Sequence, residues 1–290
     1  MTGVEIMFLW NGRLVQEDEI QVSYLDRGYY FGDGIYEVFR IYDGKLFEKQ
    51  AHLNRLFQSL REVRITLQWS EAELSDMVDS LAETFGKKDG ILYLQITRGS
   101  AKRSHLLPES PEPVMLGYCE EVARPVEQLN KGIATITLDD ERWHKCHIKS
   151  LNLLANTLAR QEAADAGAEE AILVRDGRVT ECTSSNVMIV KKGVIITHPN
   201  GPLILDGITK QVVERLAKQS GIPYRTTGFT LEELMDADEV FVTSTTKEVM
   251  PVTIINGIKV SSGIPGVITQ LLQHGFEQKI KPAAAAELLG

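Results

Sequence analysis

Apolar residues recur along this chain with two different periods, and the change of period marks its elements. Residues 8–10 and 13–15 flank Asn11-Gly12, and residues 38–42 and 45–48 flank Asp43-Gly44. An Asn-Gly or Asp-Gly pair between such runs predicts a hairpin, because a type I′ turn needs positive φ at both central residues. The period then lengthens. Leu53, Leu56, Phe57, Leu60 and Val63 mark one helix, and Ser70-x-x-Glu73 is a capping box opening another that carries Leu74, Met77, Val78 and Leu81. Strands at 91–97 and 114–118 close this unit, with a polar loop at 98–108 between them of the kind that carries function.

Residues 120–130 hold Pro125 and few apolar side chains, which predicts a boundary. The expected division is an N-terminal domain over 1–120, a linker over 121–131, a C-terminal domain over 132–280, and a loosely ordered tail over 281–290. A strand at 133–138 leads toward a second apparent strand that ends at Lys149. A helix follows at once, its stripe made of Leu151, Leu154, Ala155 and Leu158, and it stops at Gly167. Then come a strand at 171–174, an Asp176-Gly177 turn and a return strand ending at Glu181. A helix at 207–220, a strand at 240–242, a hairpin over Asn256-Gly257 and a helix at 265–279 with proline in its first turn complete the chain. Strands and helices mix without strict alternation, so the fold class is α+β and a Rossmann sheet is disfavoured.

Composition narrows the function. The 290 residues suit two domains, and 43% hydrophobic with 24% charged content is that of a soluble globular protein. A net charge of −9 offers no footprint for nucleic acid or an anionic membrane. An anionic ligand therefore needs local basic residues. Cys119, Cys146 and Cys182 form no C-x-x-C, which points to reduced thiols and a cytoplasmic protein. The apolar run at 6–10 breaks at Asn11-Gly12 and reads as neither signal peptide nor membrane span.

A lysine at a strand-to-helix junction can hold its amine on a rigid frame, which suits Schiff-base chemistry; the alternative is a solvated strand-end charge. The helix, strand and turn after Lys149 can return Glu181 beside it. There a carboxylate would keep a pyridine nitrogen protonated, unless it is simply a surface glutamate. Gly207-Ile208-Thr209 opens a helix, Ser244-Thr245-Thr246 makes a hydroxyl-rich turn, and Arg55 lies beside its helix's apolar stripe. Each can take a phosphate, or serve as an N-cap, a solvated turn and a snorkelling arginine. His144, Cys146 and His147 face opposite ways on a strand, so no metal site is expected. Gly28, Gly32 and Gly34 do not match G-x-G-x-x-G, and tight turns are their expected use.

Five stretches carry a resemblance: 26–38 (Asp-Arg-Gly-Tyr-Tyr-Phe-Gly-Asp-Gly-Ile-Tyr-Glu-Val), Ile148-Lys149-Ser-Leu-Asn-Leu-Leu, Thr180-Glu181-x-x-Ser-Ser-Asn186-Val, Gly207-Ile-Thr209 and Phe241-Val-Thr-Ser-Thr-Thr246. In that order they resemble the fold-type IV pyridoxal-phosphate enzymes, and among them the D-amino-acid aminotransferases, over roughly residues 8–279. The resemblance implies a smaller N-terminal α/β domain, a larger C-terminal pseudo-barrel domain, and a homodimer with a shared active site. It implies pyridoxal 5′-phosphate as cofactor, with Lys149 as the Schiff-base and proton-shuttling residue and Glu181 on the ring nitrogen. Arg55, Thr209, Thr245 and the Ile208 amide would hold the phosphate, and Leu205 would back the ring. Ser184, Ser185, Ser244 and Thr246 would line the cofactor and substrate space.

The implied reaction transfers an amine from a D-amino acid, such as D-alanine or D-glutamate, to a 2-oxo acid, such as 2-oxoglutarate or pyruvate. Tyr36, with Arg103 and His105 reaching in from the neighbouring subunit, would trap the α-carboxylate. Branched-chain L-aminotransferases resemble the chain in Arg40 but place Tyr-x-Arg where Tyr93-Leu94-Gln95 stands. Aminodeoxychorismate lyases share Glu181-Cys182 but lack the R-x-H loop. Arg40 and Cys182 both depart from the D-amino-acid pattern, and Arg40 offers an extra cation for a side-chain carboxylate. A non-catalytic cofactor carrier would have no use for Tyr36, Arg103 and His105.

Overall fold

The computed structural model describes residues 7–281 and divides the chain into two compact units. The first unit runs to Ala123 and takes back Ile148–Asn152; the second holds Arg124–His147 and everything from Leu153 onward. The expected loose tail lies outside the described residues apart from Lys281, as does Ile6 of the N-terminal apolar run.

In the first unit, strands β1 (Phe8–Trp10), β2 (Arg13–Val15), β3 (Gly34–Tyr42), β4 (Lys45–Leu46), β5 (Gly90–Thr97) and β6 (Val114–Glu120) form one sheet in the order β2-β1-β6-β5-β3-β4. Helices α1 (Arg27–Phe31), α2 (Lys49–Glu62) and α3 (Glu71–Phe85) complete it. Alternation decides the faces. Ile35, Phe39 and Ile41 of β3, with Leu92, Leu94 and Ile96 of β5, pack in one core with Leu53, Leu56 and Leu60 of α2 and Leu74, Val78 and Leu81 of α3. The opposite face carries an aromatic row across the strands: Tyr36–Tyr93, Tyr93–Tyr118 and Phe8–Tyr118 have ring centroids 5.8, 5.3 and 6.3 Å apart. Glycine opens β3 at Gly34 because a Cβ there would press on the Ile96 carbonyl of the neighbouring strand.

In the second unit, α4 (Val126–Lys131) and β7 (Ile133–Asp139) are followed by α5 (Leu154–Asp165), β8 (Glu170–Arg175), β9 (Arg178–Cys182), β10 (Asn186–Lys191) and β11 (Val194–Thr197). Then come α6 (Ile208–Gln219), β12 (Tyr224–Arg225), α7 (Leu231–Met235), β13 (Glu239–Ser244), β14 (Glu248–Ile255), β15 (Ile258–Lys259) and α8 (Val267–Ile280). The sheet order is β12-β11-β10-β13-β14-β7-β8-β9, with β15 on β14. It is mixed: β7 runs parallel to both β8 and β14, while β10–β13–β14 and β8–β9 are antiparallel. Its core gathers Ile172, Val179, Val187, Ile189, Val240, Val242 and Met250. The α+β expectation holds in each unit.

Two expectations near Lys149 do not hold. The stretch before Lys149 is irregular rather than a strand: Asp140 N–H donates to the Val174 carbonyl of β8 (2.8 Å), and around Lys149 the chain meets β3, with Tyr36 N–H donating to the Lys149 carbonyl (2.9 Å) and Leu151 N–H to that of Gly34 (3.0 Å). The opposed faces that set His144 and Cys146 against His147 therefore have no strand to rest on. Among the described residues no group of three or more His, Cys, Asp or Glu is placed to hold a metal. Second, the helix does not follow at once: α5 begins at Leu154, which leaves Leu151 outside it, and two leucines of its stripe point outward. Leu154 is 74% exposed and Leu158 64%, and the buried residue of this helix is Ala163. Also among the described residues, no helix is long and apolar enough to cross a membrane.

Candidate active site

In the first unit the candidate residues gather on and around β3 and α2. Lys149 is half-buried, with Nζ 4.2 Å from the centre of the Tyr36 ring. Tyr36 stacks on Tyr93, whose hydroxyl donates to Gln95 Oε1 at 3.0 Å, and Gln95 is the cross-strand partner of Tyr36. Lys149 N–H donates to Ser59 Oγ at 3.3 Å. Ser59 shares a strip of α2 with His52 and Arg55, three buried polar side chains at helical spacing.

Those polar groups meet Glu37, which points from β3 into the core and is fully buried. Arg55 donates Nε to Oε1 (2.7 Å) and Nη2 to Oε2 (2.9 Å), while His52 Nδ1 is 2.8 Å from Oε2. Burial alone would raise the carboxyl; Arg55 and His52 outweigh it and hold Glu37 far below the usual carboxylate range. Burial pushes His52 down, so the ring is neutral. Arg55 is thus a core side chain oriented by a carboxylate, not a snorkelling one. Nothing in its helix period announces Glu37 or His52 as partners.

In the second unit the candidate ring-nitrogen partner is Glu181. It lies at the end of β9, buried, and accepts from Arg142 Nη1 (2.5 Å), Asn186 Nδ2 (2.9 Å) and the Leu205 amide (3.1 Å). Burial pushes its carboxyl up to about 7 against the pull of Arg142. Arg142 is itself held by Asp140 through Nε and Nη2, both at 2.9 Å, and gives Nη2 to the Leu203 carbonyl. Leu205 is therefore fixed beside Glu181 through its backbone on both sides, since its carbonyl accepts from Asn186. Thr243, the cross-strand partner of Asn186, has a buried hydroxyl with no hydrogen-bond partner among the described residues.

Of the candidate phosphate groups, Ile208, Thr209 and Thr245 fall in this unit, while Arg55 belongs to the first. Gly207 is the N-cap of α6 with extended backbone, so the Ile208 and Thr209 amides open a twelve-residue helix, and Thr209 is buried. Ser184 and Ser185 are engaged within the chain. Both hydroxyls donate to Glu170 Oε2, at 2.9 and 3.0 Å, and a hydroxyl has one proton to give. Toward a ligand they offer lone pairs and backbone.

Arg103 and His105 are exposed, and both lie on Phe31: the Arg103 guanidinium is 5.4 Å from its ring centre and the His105 ring 5.7 Å. Arg27, buried and paired with Asp33, donates to the Ser104 carbonyl at 2.7 Å and braces the loop between them. Their ring contacts are thus to Phe31 rather than to Tyr36. Arg40 is 1% exposed, donates Nη2 to the Val122 carbonyl at 2.8 Å and covers the Tyr42 ring. It stands four residues from Tyr36 along β3, roughly 13 Å by strand rise. Cys182 is buried in the apolar core, and burial raises its thiol well above the ordinary value.

The family model for amino-transferase class IV matches residues 34–255. The chain belongs to the class IV aminotransferases. It is 47% identical over 272 residues to the D-alanine aminotransferase of Bacillus licheniformis, covering 94% of this chain and 96% of that protein. It is 44% identical over 279 residues to that of Staphylococcus aureus (strain MSSA476), covering 96% and 99%. Among solved structures, the branched-chain amino acid aminotransferase of Escherichia coli superposes with a TM-score of 0.89 at 25% identity, over 94% of each chain. The branched-chain aminotransferase of Thermoproteus uzoniensis with norvaline gives 0.88 at 26%, over 95% of this chain and 94% of that one.

Class IV aminotransferases work with pyridoxal 5′-phosphate, and this chain's residues fit that group. A buried carboxylate at Glu181 suits a ring nitrogen. The α6 N-terminus suits a phosphate, and the Thr243 hydroxyl on the strand beside Asn186 is a buried polar atom without a hydrogen-bond partner among the described residues. The expected fold type and transaminase chemistry are those of the family.

Proposed function

We propose that this class IV aminotransferase moves the amine of a D-amino acid, D-alanine or D-glutamate, to a 2-oxo acid such as 2-oxoglutarate or pyruvate. It does so as a cytoplasmic homodimer that binds neither nucleic acid nor membrane. Identity of 44–47% to D-alanine aminotransferases over nearly the whole chain supports the substrate class. The structural observation that carries it is Lys149 Nζ set over Tyr36, with Gln95 opposite Tyr36 on the next strand, where L-specific relatives resembling this chain place an arginine.

Bound pyridoxal phosphate supplies an electron sink for the carbanion at the substrate's Cα. Lys149 Nζ would take the proton from that carbon and deliver it to the cofactor's C4′. The Tyr36 ring under the amine restricts where it can reach. Glu181, oriented by Arg142 and Asn186, pairs with the ring nitrogen. Arg55, Thr209, Thr245 and the Ile208 amide hold the phosphate, and Arg55 meets it with a plane set by Glu37. Leu205 backs the ring, while Ser184, Ser185, Ser244 and Thr246 border the remaining space. Tyr36 orients the substrate carboxylate, and Arg103 and His105 reach the site of the neighbouring subunit to grip it. The braced, outward loop at Arg103 and the exposed Leu154 and Leu158 support a dimer.

The test is optical. D-Alanine should bleach the cofactor's visible band and L-alanine should not. Bleaching by L-leucine instead would favour the branched-chain reading, and no response to any amine would leave a carrier.

A further inference from the structure

Two turns of the second unit are joined by one ion pair, its carboxylate fully buried, that the reaction scheme does not use. Glu170 begins β8 and is fully buried. Its Oε1 accepts from the Thr183 hydroxyl and, at 3.2 Å, from the Thr183 amide. Its Oε2 accepts from Ser184 Oγ, Ser185 Oγ and, at 2.8 Å, Lys247 Nζ. Lys247 closes the β13–β14 turn, where its own amide donates to Ser244 Oγ at 3.1 Å. A single carboxylate thus takes donors from residues 183–185 on one side and from residue 247 on the other. Thr245 and Thr246 lie between the two fixed ends, Ser244 and Lys247.

An acceptor-only carboxylate surrounded by that many donors has little freedom, and a charge-assisted bond in a dry interior resists distortion. The Lys247 side chain is 23% exposed while that of Glu170 is fully buried, so the lysine reaches inward from a partly solvated turn. Its ammonium is taken by Glu170 rather than presented to an incoming anion. We propose that Glu170 and Lys247 are positioning residues: their ion pair latches the Ser244–Lys247 turn in the one conformation that presents Thr245 to the cofactor's phosphate. This rests on the assignment of Thr245 to the phosphate made above.

The experiment strips the full-length protein of cofactor and measures its affinity for pyridoxal 5′-phosphate and for pyridoxal, which lacks the phosphate, by absorbance titration. Lys247→Ala should weaken pyridoxal phosphate about tenfold, the worth of one buried charge-assisted hydrogen bond, and leave pyridoxal within about twofold. Lys247→Arg should restore the wild-type ratio. Equal weakening of both ligands, or of neither, overturns the latch. Glu170→Gln should reproduce the selective loss; because it also removes the charge on which the β8 end is folded, the lysine variants decide the matter. A wild-type protein that binds pyridoxal as tightly as its phosphate would instead overturn the phosphate assignment itself.

Discussion

Arg142 Nη1 lies 2.5 Å from Glu181 Oε1, and both side chains are buried. Burial opposes the ionised carboxylate, and the guanidinium beside it is what keeps ionisation within reach near neutral pH. Arg142→Met should therefore drive the Glu181 carboxyl above about 7 and destabilise the fold by about 3–5 kcal/mol, the usual result of stranding one partner of a buried pair. Glu181→Gln should lower kcat strongly while the cofactor stays bound. Thermal melts and kcat against pH check both; an unchanged pH profile in Arg142→Met would break the link between the two residues.

Gly207 offers a purely steric probe. Its backbone is extended, so alanine costs nothing conformationally, yet the new Cβ would collide with Asn186 Oδ1. Asn186 is the amide that holds both Glu181 and the Leu205 carbonyl. Gly207→Ala should lose about 1–3 kcal/mol of stability through overpacking, and activity with it. The double variant Gly207→Ala/Asn186→Ala should be no worse than Asn186→Ala alone. Additive losses in that cycle would mean that the glycine acts by another route.

The cluster at Glu37 makes a pH prediction whose sign follows from two groups. Glu37 is depressed in the folded state by Arg55 and His52 despite burial, so its contribution is complete above the unfolded value of about 4.3 and is lost as pH falls toward the folded value. His52 is depressed by burial, so below about 6.5 the unfolded chain binds a proton that the folded chain resists. Both lower stability on acidification. Glu37→Gln should cost about 3–5 kcal/mol at pH 7, and the gap to wild type should narrow below about pH 4.3. Urea midpoints from pH 7 to 3 measure it, and a constant gap would contradict the depressed carboxyl.

Some of this is legible in the chain and some is not, for identifiable reasons. Asn11-Gly12, Asp43-Gly44, Asp176-Gly177 and Asn256-Gly257 all have positive φ at both residues, as their chemistry demands. Lys192-Gly193 turns in the same way between β10 and β11 but carries no Asn or Asp to announce it. Ser70 and Glu73 form their capping box; Thr230 and Glu233 form another, ahead of a helix too short for apolar periodicity to mark. Periodicity reveals an apolar face on α5 but not that it points outward, because a period says nothing about what covers it. Lys149, Glu181 and Gly207–Thr209 stand out as motifs. Glu37 orients Arg55 beside His52, Arg142 and Asn186 hold Glu181, and Glu170 and Lys247 tie Ser184, Ser185 and Ser244, all through tertiary neighbours that no local pattern encodes.

The outward stripe of α5 leads to the last prediction. Leu154 and Leu158 are four residues apart, so they lie one turn from each other on the same face, and both are largely exposed. Two leucines left side by side on one helical face gain by being covered, and a second copy of the chain is the cover that the dimer reading supplies. Leu154→Glu/Leu158→Glu should leave the monomer's fold intact, since neither side chain is buried, while weakening dimerisation. If Arg103 and His105 act across subunits, KM for D-alanine should then rise as enzyme is diluted. Arg103→Ala should raise it at every concentration. Sedimentation velocity beside KM across a dilution series separates the two. A double variant that stays dimeric, or a monomer with wild-type KM, would remove the shared carboxylate grip.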